Sequence, residues 1–245
     1  MIGIIGFGRF SGLMAKYLAG DFEVFISTRK DKREEIKALG ATQASLADVC
    51  ALPRIILSVP ISAMEEILKE ISPLVKENAT VMDVCSVKTY PMKWMKEILP
   101  QTVSILATHP MFGPDSATES LTGRKIVLCR ERMNEPGYAA VKVYLESKGL
   151  IVIETSPEEH DRQIATSLSL THFVGRGLEE FGAFPLEIDT EGYNRLLHIL
   201  GVVKNDTWEL FLDMHKYNPY AEEARSRLLK AMNRINALLA GRTET

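Results

Sequence analysis

Cysteine is scarce in this chain: three in 245 residues, Cys50, Cys85 and Cys129. The count is odd, the spacing is wide and no CxxC pair occurs, which argues against a disulfide framework and a zinc site. The three read as small buried apolar side chains of a reducing compartment. A basic excess is also lacking. Lys and Arg number 29 against 32 Asp and Glu, for a formal charge of −3 and a pI near 6.0. That argues against nucleic-acid or membrane-surface partners. No apolar run reaches the ~18 residues of a membrane helix. The opening "MIGIIGFG" has no basic leader or cleavage site. A cytoplasmic protein is expected, with no nucleic acid and no membrane among its partners. Hydrophobic residues make up 46% and charged residues 25%, enough for a full core, and the length allows one large or two small domains.

The first part alternates short apolar runs with helical patterns. "MIGII", "EVFIS", "RIILSV", "TVMDV", "SILAT", "KIVLC" and "LIVIE" are nearly unbroken Val/Ile/Leu stretches, as strands covered on both faces require. Between them, Phe10, Leu13, Met14, Tyr17 and Leu18 recur at i, i+3, i+4, i+7 and i+8, one apolar helix face. A second helix is expected over residues 63 to 74, with Ile67, Leu68 and Ile71 inward. This alternation predicts an α/β fold with a doubly wound, mainly parallel sheet over residues 1–154. After Glu154 no strand pattern remains, and residues 155–245 read as all-helical. Ser156, Pro157 and Glu159 mark a helix start, and Gly182 and Pro185 its stop. Further helices are expected from Glu191 to Val203, from the Asp206/Glu209 capping pair, and after "NPY", with Asn218 as cap. In the last one Ala221, Ala224, Leu228, Ala231, Ile235 and Leu238 step by 3 and 4, a coiled-coil-like seam widened by Leu229, Met232 and Leu239. A homodimer through these helices is expected.

"GIIGFGRFSG" follows the first strand and opens the first helix. Gly6 and Gly8 are the first two glycines of a GxGxxG dinucleotide turn, and Ser11 stands at the third. The first glycine makes the turn, the second admits a pyrophosphate, and the third position needs a small residue. Arg9, Phe10 and Ser11 then start a helix whose free N–H groups face the phosphates. An NAD site wants an acid at the end of the second strand, for the ribose hydroxyls. Here the residues are Ser27, Thr28, Arg29 and Lys30. Hydroxyls and a guanidinium suit a 2′-phosphate, so NADP is favoured and NAD remains possible. Ser58 and Pro60 end another strand at the same edge and are expected against the nucleotide.

Two more strand ends reach that edge. "TVMDVCSVK" places Asp83, Ser86 and Lys88 there, and "THPMFGPDS" places His109, one of five histidines. Pro110 and the Gly113–Pro114 turn restrict its backbone. An imidazole with an ordinary pKa of about 6.5 accepts a proton at neutral pH. His109 is the candidate general base of an alcohol oxidation, with Ser86 as its orienting hydroxyl.

The motifs "GFGRFSG", "DVCSVK", "THPMFGPDS", "HDRQIATSLSLTH" and "TEGYNRLL", in this order along nearly the whole chain, resemble the prephenate/arogenate dehydrogenases, above all the compact plant arogenate form. The resemblance implies an NAD(P)-binding Rossmann domain followed by a helical dimerisation domain. It implies oxidative decarboxylation of a small cyclohexadienol, prephenate or arogenate, in tyrosine biosynthesis, with no metal. The family's catalytic histidine and serine carry over to His109 and Ser86, and its substrate-pocket histidine to His172. Many prephenate-type members carry an arginine in the second helical stretch to hold a substrate carboxylate. Counting from Gly192, that position is His198; Arg195 and Arg176 are the neighbouring candidates. Glu119 is a candidate partner for a substrate amine.

Two other readings fit part of the pattern. A β-hydroxyacid dehydrogenase shares the layout but needs a catalytic lysine where this chain reads "HDRQIATSLS". A non-catalytic NADP-binding sensor would give no reason for Ser86 and His109 at one edge.

Overall fold

The computed structural model describes residues 1–241. Eight strands, β1 (Ile2–Ile5), β2 (Val24–Ser27), β3 (Thr42–Gln43), β4 (Arg54–Leu57), β5 (Thr80–Asp83), β6 (Ser104–Pro110), β7 (Lys125–Arg132) and β8 (Ile151–Glu154), form one sheet in the order β3-β2-β1-β4-β5-β6-β7-β8. The neighbours from β3 to β6 pair in parallel. β7 runs antiparallel to β6, and β8 pairs in parallel with β7. Most of these are the Val/Ile/Leu runs expected from the sequence. β3 was not among them, because its two residues carry no apolar run.

Seven helices join the strands: α1 (Arg9–Leu18), α2 (Arg33–Ala38), α3 (Leu46–Cys50), α4 (Ile61–Ile71), α5 (Thr89–Ile98), α6 (Pro114–Ala117) and α7 (Glu135–Ser147). In α4 the buried Ile61, Met64, Ile67, Leu68 and Ile71 share one face, the spacing that drives an amphipathic helix onto a sheet. The chain divides into two compact units, Met1–His160 and Asp161–Thr245. In the first, a core that includes Ile2, Ile4, Val24, Ile26, Ile56, Met82, Leu106 and Leu128 holds the sheet rigid, so that loops at its edge are presented from fixed points.

Past the sheet come α8 (Pro157–Ile164), a π-helical turn over Ala165–Ser169, α9 (Leu170–Phe181), α10 (Glu191–Lys204), α11 (Trp208–Lys216) and α12 (Ala221–Leu239). The start of α8 is capped as expected, the Glu159 N–H donating to Ser156 Oγ at 3.2 Å. Gly182, left-handed at φ 78°, ends α9, the conformation glycine adopts without penalty. The structure corrects two caps: α12 has Tyr220 and not Asn218 at its N-cap, Asn218 Oδ1 accepting instead from the Tyr220 N–H at 2.9 Å, and α11 is capped by Thr207, whose Oγ1 accepts from the Leu210 N–H at 3.1 Å, and not by Asp206. Thr207 and Asp206 are both good capping types, and register alone decides between them.

Candidate functional site

The glycine turn leaves β1 with its backbone tied on both sides. The Gly6 N–H donates to the Ser27 carbonyl at 2.9 Å, and the Ser58 N–H to that of Ile5 at 2.8 Å. Gly6 has φ +100°, and a Cβ there would lie 2.2 Å from the Ser58 carbonyl oxygen, so only glycine fits. Gly8 is different: a Cβ on it would meet nothing within 4 Å. Its side faces open space at the N-terminus of α1, the cradle a pyrophosphate requires. Ser11 Oγ donates to Ser58 Oγ at 2.9 Å and accepts from the Gly8 N–H at 3.3 Å, which joins the turn to the end of β4. Phe10 packs near Phe112, ring centroids 6.1 Å apart. Arg9 pairs with Asp115 at 2.6 Å. Pro60 caps α4. At the end of β2, Ser27 is buried, Thr28 half-buried and Arg29 exposed. Gln43 braces the loop beyond it, accepting from the Lys32 N–H at 2.8 Å and donating to the Lys30 carbonyl at 3.0 Å. These residues fit a dinucleotide.

Next along the same edge lie the ends of β5 and β6, in register through Asp83↔Ala107. Asp83 and Lys88 are fully buried and form an ion pair. Lys88 Nζ also donates to the Thr108 carbonyl at 2.5 Å, Asp83 Oδ2 accepts from the Cys85 N–H at 2.9 Å, and Thr108 Oγ1 donates to the Asp83 carbonyl at 2.6 Å. This network fixes both strand ends, and with them Ser86 and His109. Ser86 Oγ is buried and has no hydrogen-bond partner among the described residues. An orphaned buried hydroxyl costs about 1–3 kcal/mol, a cost that a bound group can relieve.

His109 is 6% exposed. Antiparallel pairing with Val127 of β7 holds its backbone. Its Nδ1 lies 2.8 Å from Nε2 of His160, on the first turn of α8; its Nε2 makes no hydrogen bond among the described residues. Burial first, then His160 and the Lys88 cation, hold its pKa well below the ordinary imidazole value. Burial and both neighbours thus favour the uncharged ring. The hydrogen-bonded partner of this imidazole is His160, a residue the sequence reading had passed over. Its signal was there, a histidine one turn inside a capped helix that directly follows the last strand.

A cavity of about 280 Å³ is lined by α1, the sheet and α7. Its walls are apolar, Leu13, Ile56, Met82 and Val141 among them, and Gly6, Gly8, Ser86 and His109 are not in its lining. Arg54 and Lys148 are the charged residues of its lining. Glu119 lies exposed in the loop after α6.

Within the helical unit, His172 is buried, with Nδ1 unpartnered among the described residues and Nε2 3.7 Å from Asp206. Burial lowers its pKa, against the pull of Asp206. Arg176 stacks 4.5 Å over the Trp208 ring and donates to Glu179 at 2.7 Å and to the Asp206 carbonyl at 2.6 Å. Arg195 is exposed and pairs with Glu191 at 3.2 Å.

The sheet order around β1 and β4, the glycine turn and the serine bridge define a Rossmann-type nucleotide-binding protein with a helical second unit. A family model described as "Prephenate dehydrogenase, nucleotide-binding domain" matches residues 24–154, and one described as "TYRAAT1-like, C-terminal domain" matches residues 177–245. Arogenate dehydrogenase 2, chloroplastic, of Arabidopsis thaliana is 30% identical over 98% of this chain and 70% of its own length. Arogenate dehydrogenase 1, chloroplastic, of the same plant is 32% identical over 98% of this chain but only 39% of its own length. Among solved structures, prephenate dehydrogenase from Aquifex aeolicus in complex with hydroxyphenyl propionate and NAD+ shares the fold at a TM-score of 0.78 and 24% identity, covering 98% of this chain and 90% of that one. Synechocystis arogenate dehydrogenase does so at 0.73 and 20%, covering 98% and 92%. This chain belongs to the prephenate/arogenate dehydrogenase family.

Proposed function

We propose that the protein catalyses the oxidative decarboxylation of arogenate or prephenate with a nicotinamide dinucleotide, NADP in preference to NAD. The observation that carries this reading is His109: a buried imidazole whose Nε2 has no partner among the described residues, at the sheet edge that holds the glycine turn. When bound, the nicotinamide supplies the hydride acceptor. His109 Nε2 takes the proton of the ring hydroxyl as the carbon beneath it loses hydride. Loss of CO2 then makes the ring aromatic, and the same nitrogen returns the proton to the phenolic oxygen. The reaction needs no net proton from solvent. Ser86 Oγ, without a partner among the described residues, donates its hydrogen bond to the reacting oxygen or the nicotinamide amide. The open side of Gly8 takes the pyrophosphate, and Ser27, Thr28 and Arg29 the ribose phosphate. Arg29 has no ion-pair partner among the described residues, which supports that role.

For the substrate, α9 offers His172 Nδ1, a buried polar atom without a partner among the described residues. Arg195 carries the carboxylate more readily than Arg176, whose guanidinium is already engaged. Glu119 is the candidate for the amine of arogenate. Apolar side chains exposed on the helical unit support a homodimer: Leu229 of α12 is 48% exposed, Ile235 56% and Leu238 68%. Such patches mark association surfaces.

The decisive assay is turnover of both substrates with both cofactors, followed by absorbance of the reduced nicotinamide. Activity with NADP, lost by about 10²-fold or more in His109→Asn with dinucleotide affinity kept, is the expected result. Equal use of NAD would overturn the reading of Arg29, and a fully active His109→Asn would overturn that of the base.

A further inference from the structure

His109 has two ring nitrogens, and only one arrangement of its protons makes it a base. We infer that His160 is the positioning residue that selects this arrangement, accepting the His109 Nδ1–H at its Nε2; the inference rests on the reading of His109 as the base.

The 2.8 Å approach of the two nitrogens leaves room for one hydrogen between them. If His160 donated it, His109 would carry its own hydrogen on Nε2, the one nitrogen free to meet a substrate hydroxyl, and could not take a proton there. If His109 donates it, the Nε2 lone pair is left open. Which ring nitrogen holds the proton is set by the bond the other nitrogen makes.

The fold holds His160 in place from its own side. Ser156 caps α8, Pro157 sets the first turn, and the His160 N–H donates to the Ser156 carbonyl at 3.0 Å. The side chain is 3% exposed, and its ring meets that of His109 edge-on at 5.1 Å between centroids. The charged group that weighs on His109 from β5 and the start of α5 is Lys88, itself paired with Asp83. That cation and the burial oppose an imidazolium. A neutral His160 accepting from Nδ1–H offsets part of this opposition once His109 holds the substrate proton, because the hydrogen bond becomes charge-assisted.

Two measurements test the assignment on the full-length protein. The first is ¹⁵N NMR of histidine-labelled protein near pH 7.5, which needs no turnover. His109 is expected as the Nδ1–H tautomer in the wild type and as a mixture in His160→Leu. The second compares kcat and KM. His160→Leu keeps the bulk and removes the acceptor; kcat is expected to fall about 10²-fold with the KM for dinucleotide within about threefold. His160→Gln, whose amide oxygen can accept, is expected to recover at least about tenfold of that loss. A wild-type His109 protonated on Nε2, or a His160→Leu enzyme with kcat within about threefold of wild type, overturns the inference. Equal activity of the Leu and Gln variants does so too, since it would show that only packing matters. If the wild type turns over neither substrate, the activity reading fails on its own, and the tautomer spectrum still decides the histidine pair.

Discussion

Replacing Lys88 with methionine removes one half of an ion pair that no water reaches. Both Asp83 and Lys88 are 0% exposed. Methionine fills most of the space, so the loss is electrostatic: Asp83 is left charged and buried, and the Thr108 carbonyl loses its donor. Breaking a buried pair from one side costs about 3–5 kcal/mol. For a chain of this size each kcal/mol moves Tm by about 2–4 °C, so a drop of roughly 6–20 °C is expected by calorimetry or circular dichroism. The double variant Asp83→Asn/Lys88→Met removes the stranded charge while the Asn oxygen still accepts from the Cys85 N–H. It is expected to be more stable than Lys88→Met alone, and the double-mutant cycle measures the coupling. Loss of the cation also relieves one of the influences that depress His109, so an NMR titration of that ring should move to higher pH. A single variant destabilised by less than about 1 kcal/mol, or a double variant no better than the single, would refute the claim that this pair holds the two strand ends.

The two glycines of the turn should separate stability from binding. Gly6→Ala forces a Cβ against the Ser58 carbonyl at a positive φ and should unfold at clearly lower urea, whereas Gly8→Val should keep its midpoint and weaken dinucleotide binding by about tenfold or more in calorimetric titration. Acid should destabilise the helical unit through His215, whose pKa is pushed down to about 4, mainly by burial and then by Arg225 and His172. The unfolded chain then binds more protons between about pH 4 and the ordinary value near 6.5, so this contribution is present above that window and lost as pH falls through it. A His215→Phe variant should flatten the rise of urea midpoints across that range, by about 1–2 kcal/mol after allowing for partial exposure. Light scattering should give twice the 27.4 kDa chain mass for the wild type and a smaller species for Ile235→Glu/Leu238→Glu; an unchanged mass in the variant would exclude α12 from the interface.

The primary sequence determined most of the sheet. The runs in β1, β2 and β4 to β7 are apolar because each is covered, and a helix period between them allows only a wound α/β arrangement; β8, at the sheet's edge, keeps its apolar run although Ile151 and Ile153 are exposed. It determined the glycine turn as well, because Gly6 answers a steric demand that no other residue meets and Gly8 leaves its side open for a phosphate. Tertiary structure decided the rest. β3 forms because Thr42 and Gln43 lie in register beside β2, with no local pattern to announce them. β7 reverses direction because the loop carrying α6 turns the chain back beside β6. The partner of His109 comes from 51 residues further along the chain, a separation across which periodicity says nothing. Whether a buried polar group is paired or orphaned depends on which side chains arrive from other elements, and this is why Lys88 reads as a loop cation in the sequence and lies in the folded protein as the charge that sets two strands.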